Sequence, residues 1–278
     1  MHFTKMQGIG NDYIYFDCTK GNTIAGPGEL AVKASDRHFG IGGDGIVLIC
    51  SCEEADYQMR IFNADGSEAE MCGNASRCVA KYLYERGLTE KTDLTLKTAS
   101  GIRKLHLNVE NGVVRSVCVD MGEPIFRPLR IPVRLEGEKI IDREINIGGF
   151  PFRITCVSMG NPHCVIFTDD PDSVHVQNYG PLIENSDLFP CRTNVEFASV
   201  MDHQTIRMRV WERGSGETLA CGTGACATLA ASVLNGYSSR TADILLKGGI
   251  LRISWNQKDN HIYMEGPAEF LFDGDWEI

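Results

Sequence analysis

Two short stretches carry the residues best suited to chemistry. Residues 70–87 read EMCGNASRCVAKYLYERG, and residues 219–236 read LACGTGACATLAASVLNG. In each, a Cys-Gly pair stands directly in front of a helical pattern, which places Cys72 and Cys221 at helix starts. A helix start presents unpaired N–H groups and about half a positive charge. A thiol there loses its proton more readily, with pKa values of ~3.5–7.5 against ~8.5 for a free one. The neighbouring glycine lets a ligand come close to the backbone. The N–H groups of Gly73 and Asn74, or of Gly222 and Thr223, are placed to hold a carboxylate. If two such units face each other across one pocket, one thiolate removes a proton from a carbon beside a carboxylate. The opposite thiol returns a proton from the other side, and the stereocentre inverts, with the helix starts stabilising the enolate. The two thiols then titrate as a coupled pair.

A plainer reading exists for any single cysteine among the eleven, as a helix cap or a small buried residue. Repetition in one local frame separates Cys72 and Cys221 from the others. Cys78 and Cys226, on or inside the helices, are assigned to packing. A disulfide between Cys72 and Cys221 is a further reading, and oxidation of this kind would silence the chemistry just described.

The elements that must position these thiols come in two copies. RIFNADGSEAEMCG (60–73) matches RVWERGSGETLACG (209–222), with Arg60, Glu68 and Cys72 opposite Arg209, Glu217 and Cys221. Asn11 falls opposite Asn161, Asp44 opposite Asn194, and Lys97 opposite Lys247, all at an offset near 150. Such a run indicates a tandem pair of units. YQMRIFNAD and TIRMRVWER alternate as strands do. DLTLKTASGIRKLHLNV and DILLKGGILRISW read as hairpins turned at Ser-Gly or Gly-Gly. After the first Cys-Gly, Ala75, Cys78, Val79, Tyr82 and Leu83 form a helical stripe ended by Gly87. The second helix, over residues 225–234, is small and apolar on nearly every face, which predicts burial all round. Each half is thus expected to be a strand-rich α+β unit around one central helix. The boundary is expected near DMGEPIFRP (120–128), giving 1–122 and 123–266.

Composition narrows the partners. The chain has 278 residues, is 43% hydrophobic and 23% charged, and carries a formal net charge of −10. That suits a globular protein with its own core. No basic patch invites nucleic acid, and no apolar run reaches transmembrane length. No signal-peptide pattern opens the chain, so a reducing cytoplasmic setting with free thiols is expected. No CxxC pair or zinc spacing occurs, so no metal site is expected.

The motifs MQGIGNDYIYFD, RHFGIGGDGI, RIFNADGSEAEMCGN, SMGNPHCV, ERGSGETLACGTGA and YMEGPAEF together resemble those of the diaminopimelate epimerase family, in that family's order and from end to end of the chain. The resemblance implies an epimerase that needs no cofactor, neither pyridoxal phosphate nor flavin, and converts LL-2,6-diaminopimelate to the meso form for lysine and peptidoglycan precursors. It implies two pseudo-symmetric α+β lobes, each a mostly antiparallel sheet or barrel wrapped around a central helix, with the active site in the cleft. It also implies that residues 267–278 return to the first lobe, and that the enzyme is a homodimer. By the same resemblance Cys72 and Cys221 are the acid/base pair, and His163 and Glu212 tune the thiols. Asn11, Asn63, Asn161 and Asn194 contact substrate, joined by Glu212 and by the backbone at Gly73, Asn74, Gly222 and Thr223. Arg213 grips the distal carboxylate. Outside the family frame Asn11, Asn63 and Asn194 read as turn residues, His163 as a core histidine and Arg213 as a surface charge. Two departures stand out. Gly45 follows GIGGD where some members carry a glutamine that touches substrate, and Phe272 replaces a tyrosine at the dimer contact. Proline or hydroxyproline racemisation is the neighbouring enzymatic reading, and Asn74, where those relatives carry histidine, argues against it. An amino-acid binding protein or thiol redox sensor is the non-catalytic one.

Overall fold

The computed structural model describes residues 1–21 and 24–277. The chain divides into two compact units. One comprises Met1–Asp120 together with the chain from Glu265 onward; the other is Met121–Met264.

The first unit opens with β1 (His2–Gly8) and β2 (Asn11–Cys18), followed by α1 (Pro27–Ser35), β3 (Gly45–Cys50) and β4 (Tyr57–Asn63). Then come β5 (Glu68–Ala69), α2 (Gly73–Glu85), β6 (Asp93–Thr98), β7 (Gly101–Glu110) and β8 (Val113–Gly122). β2 pairs with β3, and β4 with β6, in parallel; β1–β2, β3–β4, β6–β7 and β7–β8 are antiparallel. A parallel pair needs a crossover, and α1 supplies the one between β2 and β3. Alternation along β2 then sorts the core. Ile14 and Phe16 pack with Leu30, Ala31 and Ala34 of α1. α2 packs on β1, β2 and β7. The stripe Ala75, Cys78, Val79, Tyr82 and Leu83 is buried, as its spacing predicts, and so are Arg77 and Lys81.

After one additional strand, β9 (Arg143–Ile147), the second unit repeats this order: β10 (Phe150–Ser158), β11 (Pro162–Phe167), α3 (Val176–Glu184), β12 (Asn194–Asp202), β13 (Thr205–Glu212), β14 (Gly216–Thr218), α4 (Gly222–Leu234), β15 (Thr241–Leu246), β16 (Gly249–Trp255) and β17 (Ile262–Gly266). β11–β12 and β13–β15 are its parallel pairs. α4 lies against β10, β11, β12, β13, β15 and β16. Its residues Ala225–Ser232 are all buried, as expected for a helix apolar on every face. The final strand, β18 (Glu269–Asp275), pairs antiparallel with β1 and so belongs to the first unit.

Four details differ from the sequence reading. Asn194 lies opposite Gly45 rather than Asp44, since His163 pairs with Asn194 as Tyr13 pairs with Gly45. Each unit has a second helix, α1 or α3, which the parallel pairing requires and the repeat alone did not reveal. The hairpin turns are Ala99-Ser100 and Lys247-Gly248, and Gly101 and Gly249 open the returning strands with φ of 107° and 150°. Lys97 and Lys247 are not equivalent. The link after α4 is one residue shorter than that after α2, so the offset falls to 148 and Lys97 corresponds to Leu245.

Gly45 has no room for a side chain. It opens β3 between β2 and β4, and a Cβ there would overlap the Phe62 carbonyl oxygen and sit 2.8 Å from Tyr13 Cε1. Overpacking a filled site costs about 1–3 kcal/mol. Gly45→Ala is therefore expected to lower the thermal unfolding temperature of the protein by several degrees. An unchanged melting curve would show that the strands yield at this point.

Candidate active site

α2 and α4 begin the same way. Cys72 is the N-cap of α2 with φ −138° and ψ 115°, and its sulfur accepts the Ala75 N–H at 3.5 Å. Cys221 is the N-cap of α4 with φ −126° and ψ 111°, and its sulfur accepts the Gly224 N–H at 3.4 Å. Both sulfurs thus do the work that a serine or aspartate oxygen does at an ordinary N-cap. Gly73, Asn74, Gly222 and Thr223 form the first turns, whose N–H groups have no intrahelical acceptor.

In the first unit the structure brings Asn11 to Cys72. The thiol donates to Asn11 Oδ1 at 3.3 Å. Asn11 Nδ2 donates to Asp44 Oδ2 at 2.7 Å, and Asp44 also accepts the Asp12 N–H at 3.1 Å and Arg37 Nη2 at 3.0 Å. A carboxylate only accepts, so Asp44 fixes which end of the Asn11 amide faces it and leaves Oδ1 toward the thiol. Asn74 Oδ1 accepts Arg77 Nη1 at 2.9 Å, while Arg77 Nε donates to the Pro267 carbonyl at 3.0 Å. Asn63, at the end of β4, turns its amide to Ser67 Oγ at 3.1 Å.

In the second unit four expected residues form one chain of contacts. Cys221 Sγ and Thr223 Oγ1 are 3.5 Å apart, and Asn161 Nδ2 donates to Thr223 Oγ1 at 3.2 Å. His163 Nε2 lies 3.0 Å from Asn161 Oδ1. Glu212 accepts the Thr218 hydroxyl at 2.5 Å. Asn194 is occupied differently. Its amide ties backbone together, accepting the Arg213 N–H at 2.9 Å and donating to the Pro162 carbonyl at 2.8 Å. The Arg213 side chain is exposed and donates to the Cys191 carbonyl at 3.1 Å.

Sequence reasoning missed Glu196. It stands on β12, fully buried, with Oε1 2.7 Å from His163 Nδ1. The only signal is a carboxylate inside the apolar run NVEFASV. Asp44, noted only as a member of the repeat, is the other addition.

The electrostatics correct one expectation. A helix start favours the thiolate, yet burial pushes the Cys221 thiol well above the ordinary thiol range. Glu212 pushes the same way, and the Thr223 hydroxyl and Gly224 N–H only partly oppose the rise. The low thiol lies elsewhere. Cys18 and Cys50 are register partners on the parallel strands β2 and β3. A hydrogen bond from Cys18 brings Cys50 down to about 7 against partial burial, with Arg60 helping. Cys18 rises correspondingly. Among the described residues no cluster of three or more His, Cys, Asp or Glu is arranged to hold a metal ion.

Comparison with known proteins places these features in a wider set. The family model described as diaminopimelate epimerase matches residues 3–127 and 155–271. A diaminopimelate epimerase of Acetivibrio thermocellus is 54% identical over 278 residues, covering 100% of this chain and 99% of the relative. One from Methanococcus maripaludis is 53% identical and covers 100% of both. Among solved structures, a PhzF-family phenazine biosynthesis protein of Bacillus anthracis matches with a TM-score of 0.70 at 18% identity, covering 100% of this chain and 99% of that one. A hydroxyproline epimerase of Agrobacterium vitis matches at 0.68 and 16%, covering 99% and 90%. At those identities the structural likeness speaks for the fold, a sheet-dominated α+β architecture with few helices.

Alkylation with iodoacetamide, mapped by mass spectrometry between pH 6 and 10, reads the thiols directly. Cys50 is expected to label with a midpoint near 7, and Cys221 to stay unlabelled until well past the ordinary thiol range. Labelling of Cys221 near neutrality would mean that the helix start outweighs burial.

Proposed function

The chain belongs to the diaminopimelate epimerase family, and from that premise we propose how its two helix-cap thiols perform the reaction. The enzyme is an isomerase that epimerises diaminopimelate. In our reading it turns the LL form into the meso form, in lysine and peptidoglycan precursor synthesis, without a cofactor. Cys72 and Cys221 are the acid/base pair. One, as thiolate, takes the α-proton; the electron pair left behind delocalises into the carboxylate; the other thiol delivers its proton to the opposite face. The N–H groups of Gly73, Asn74, Gly222 and Thr223 stabilise the carboxylate as it gains charge.

One observation carries this reading. A cysteine N-cap whose sulfur accepts the N–H three residues on occurs twice, at equivalent places in a duplicated unit. Asn11, Asn63, Asn161 and Asn194 are assigned to substrate contacts, the last through its side-chain hydrogen atom not used on Pro162. His163 and Glu212 tune the thiols, and Arg213, exposed at the end of β13, offers its fork to the distal carboxylate. The reading includes a cytoplasmic homodimer that binds neither nucleic acid nor membrane. Among the described residues no helix is long and apolar enough to cross a membrane. Leu271 and Phe272, half exposed on β18, offer an apolar surface for a second copy.

Reduced protein and LL-diaminopimelate in heavy water, with no cofactor added, test the reading. Meso product with deuterium at the inverted carbon is expected. Cys72→Ala and Cys221→Ala should each lower turnover by about 10²–10⁴-fold with the fold retained. Near-normal turnover in either variant would sink the two-base mechanism. Exchange with proline or hydroxyproline but not with diaminopimelate would move the substrate assignment.

A further inference from the structure

Glu196 is the least expected group in the second unit. Its side chain is wholly buried, as is that of His163. Oε1 meets His163 Nδ1 at 2.7 Å, and among the described residues Oε2 has no hydrogen-bond partner. The equivalent position in the first unit is Val47, so the carboxyl is not needed to build the fold. Gly224 makes room for it: a Cβ there would lie 2.8 Å from Glu196 Oε1 and 3.3 Å from Cys221 Sγ.

We infer that Glu196 is a neutral carboxylic acid and the positioning residue for Cys221, its proton setting the direction of a hydrogen-bond chain through His163, Asn161 and Thr223 to the sulfur. The inference rests on Cys221 being one of the reacting thiols.

The direction follows from what each atom can do. Asn161 Oδ1 only accepts, so His163 Nε2, 3.0 Å away, carries a hydrogen and donates. In a neutral ring Nδ1 then holds a lone pair, and Glu196 must be the donor to it. A carboxylate here would be costly. It would sit in a dry site with one oxygen bare of donors. Of the titratable groups facing Glu196 only His163 favours the charged form, and Glu212 opposes it. The facing groups are His163 and Cys164 on β11, Glu212 on β13 and Cys221 on α4. Burial accordingly raises its carboxyl above the usual range. With Glu196 protonated, every remaining link points one way. Asn161 Nδ2 donates to Thr223 Oγ1 at 3.2 Å, which leaves the hydroxyl hydrogen for Cys221 Sγ at 3.5 Å, beside the Gly224 N–H at 3.4 Å. The sulfur becomes the acceptor of two hydrogen bonds that strengthen as it takes negative charge. An ionised Glu196 would instead set a second carboxylate against that charge.

The test needs no substrate, so its failure is separate from failure of the epimerase reading. Protein labelled with ¹⁵N-histidine reports the His163 tautomer by NMR, with His163→Gln assigning the signal. The neutral Nε2–H form is expected in the wild type and in Glu196→Gln, whose amide can still donate. An imidazolium, or the Nδ1–H form, overturns the inference. The rate of Cys221 alkylation on the alkaline side of the ordinary thiol range, at pH 10, gives the second readout. Glu196→Leu should slow it about ten-fold, as one unit of thiol pKa would, and Glu196→Gln should restore it to within about three-fold. Faster alkylation in both variants would mean that Glu196 acts as a charge. If Glu196→Leu does not fold, the tautomer and the Glu196→Gln rate decide the matter.

Discussion

The first turn of a helix leaves N–H groups that must find an acceptor, and here that acceptor is sulfur, twice. The constraint fixes much else. A cap residue needs extended backbone, so each Cys-Gly follows a short strand, β5 or β14, and turns at once into α2 or α4. The helix that follows must be held firmly for its start to be a precise place. Both helices are therefore almost wholly buried, α4 with small residues that let strands approach on many sides and α2 with a buried Arg77 tied to Asn74 and Pro267. A free helix end would present the same N–H groups but would not keep them in register with anything.

The two copies share a backbone plan and differ in what stands behind each sulfur. Asn11 and Asn161 occupy equivalent places. Asn11 is held by Asp44, an acceptor that fixes its amide, and so presents oxygen to the Cys72 thiol. Asn161 is held by His163, whose hydrogens depend on Glu196, and so passes a hydrogen toward Thr223 and Cys221. Duplication supplied matching frames, and substitution at a few buried positions, Val47 against Glu196 among them, made the frames chemically unlike. A reaction that needs one proton donor and one acceptor at a time has use for that difference.

Much of this was legible in sequence, for identifiable reasons. The repeat, the alternating strands β4 and β13, and the α2 stripe depend on local periodicity. α1 and α3 were not read, because each is nine residues long and α3 contains Pro181, so neither shows a sustained pattern. The thiol argument at Cys221 failed for a related reason: a helix start is local, whereas burial under six strands is not. Asn194 was read by its type as a ligand group, but its amide is largely spent on joining β11 to the chain at Arg213, a partner remote in sequence. Glu196 went unread because only the folded strands reveal that its place is dry.

The pairing of β18 with β1 orders events during synthesis. The unit that leaves the ribosome first is not the unit that can be finished first. Residues 121–264 form a contiguous unit and have all their own strands once they have emerged. The N-terminal unit must wait through all of them with one edge of β1 unpaired, until residues 269–275 arrive and the first residue's amino group can reach the Trp276 carbonyl at 2.6 Å. An open strand edge is the part of a young chain most prone to pairing with a stranger. Thr4 and Lys5 on that strand are polar residues buried in the finished protein. Such residues keep the waiting edge less sticky than an unbroken apolar strand would be.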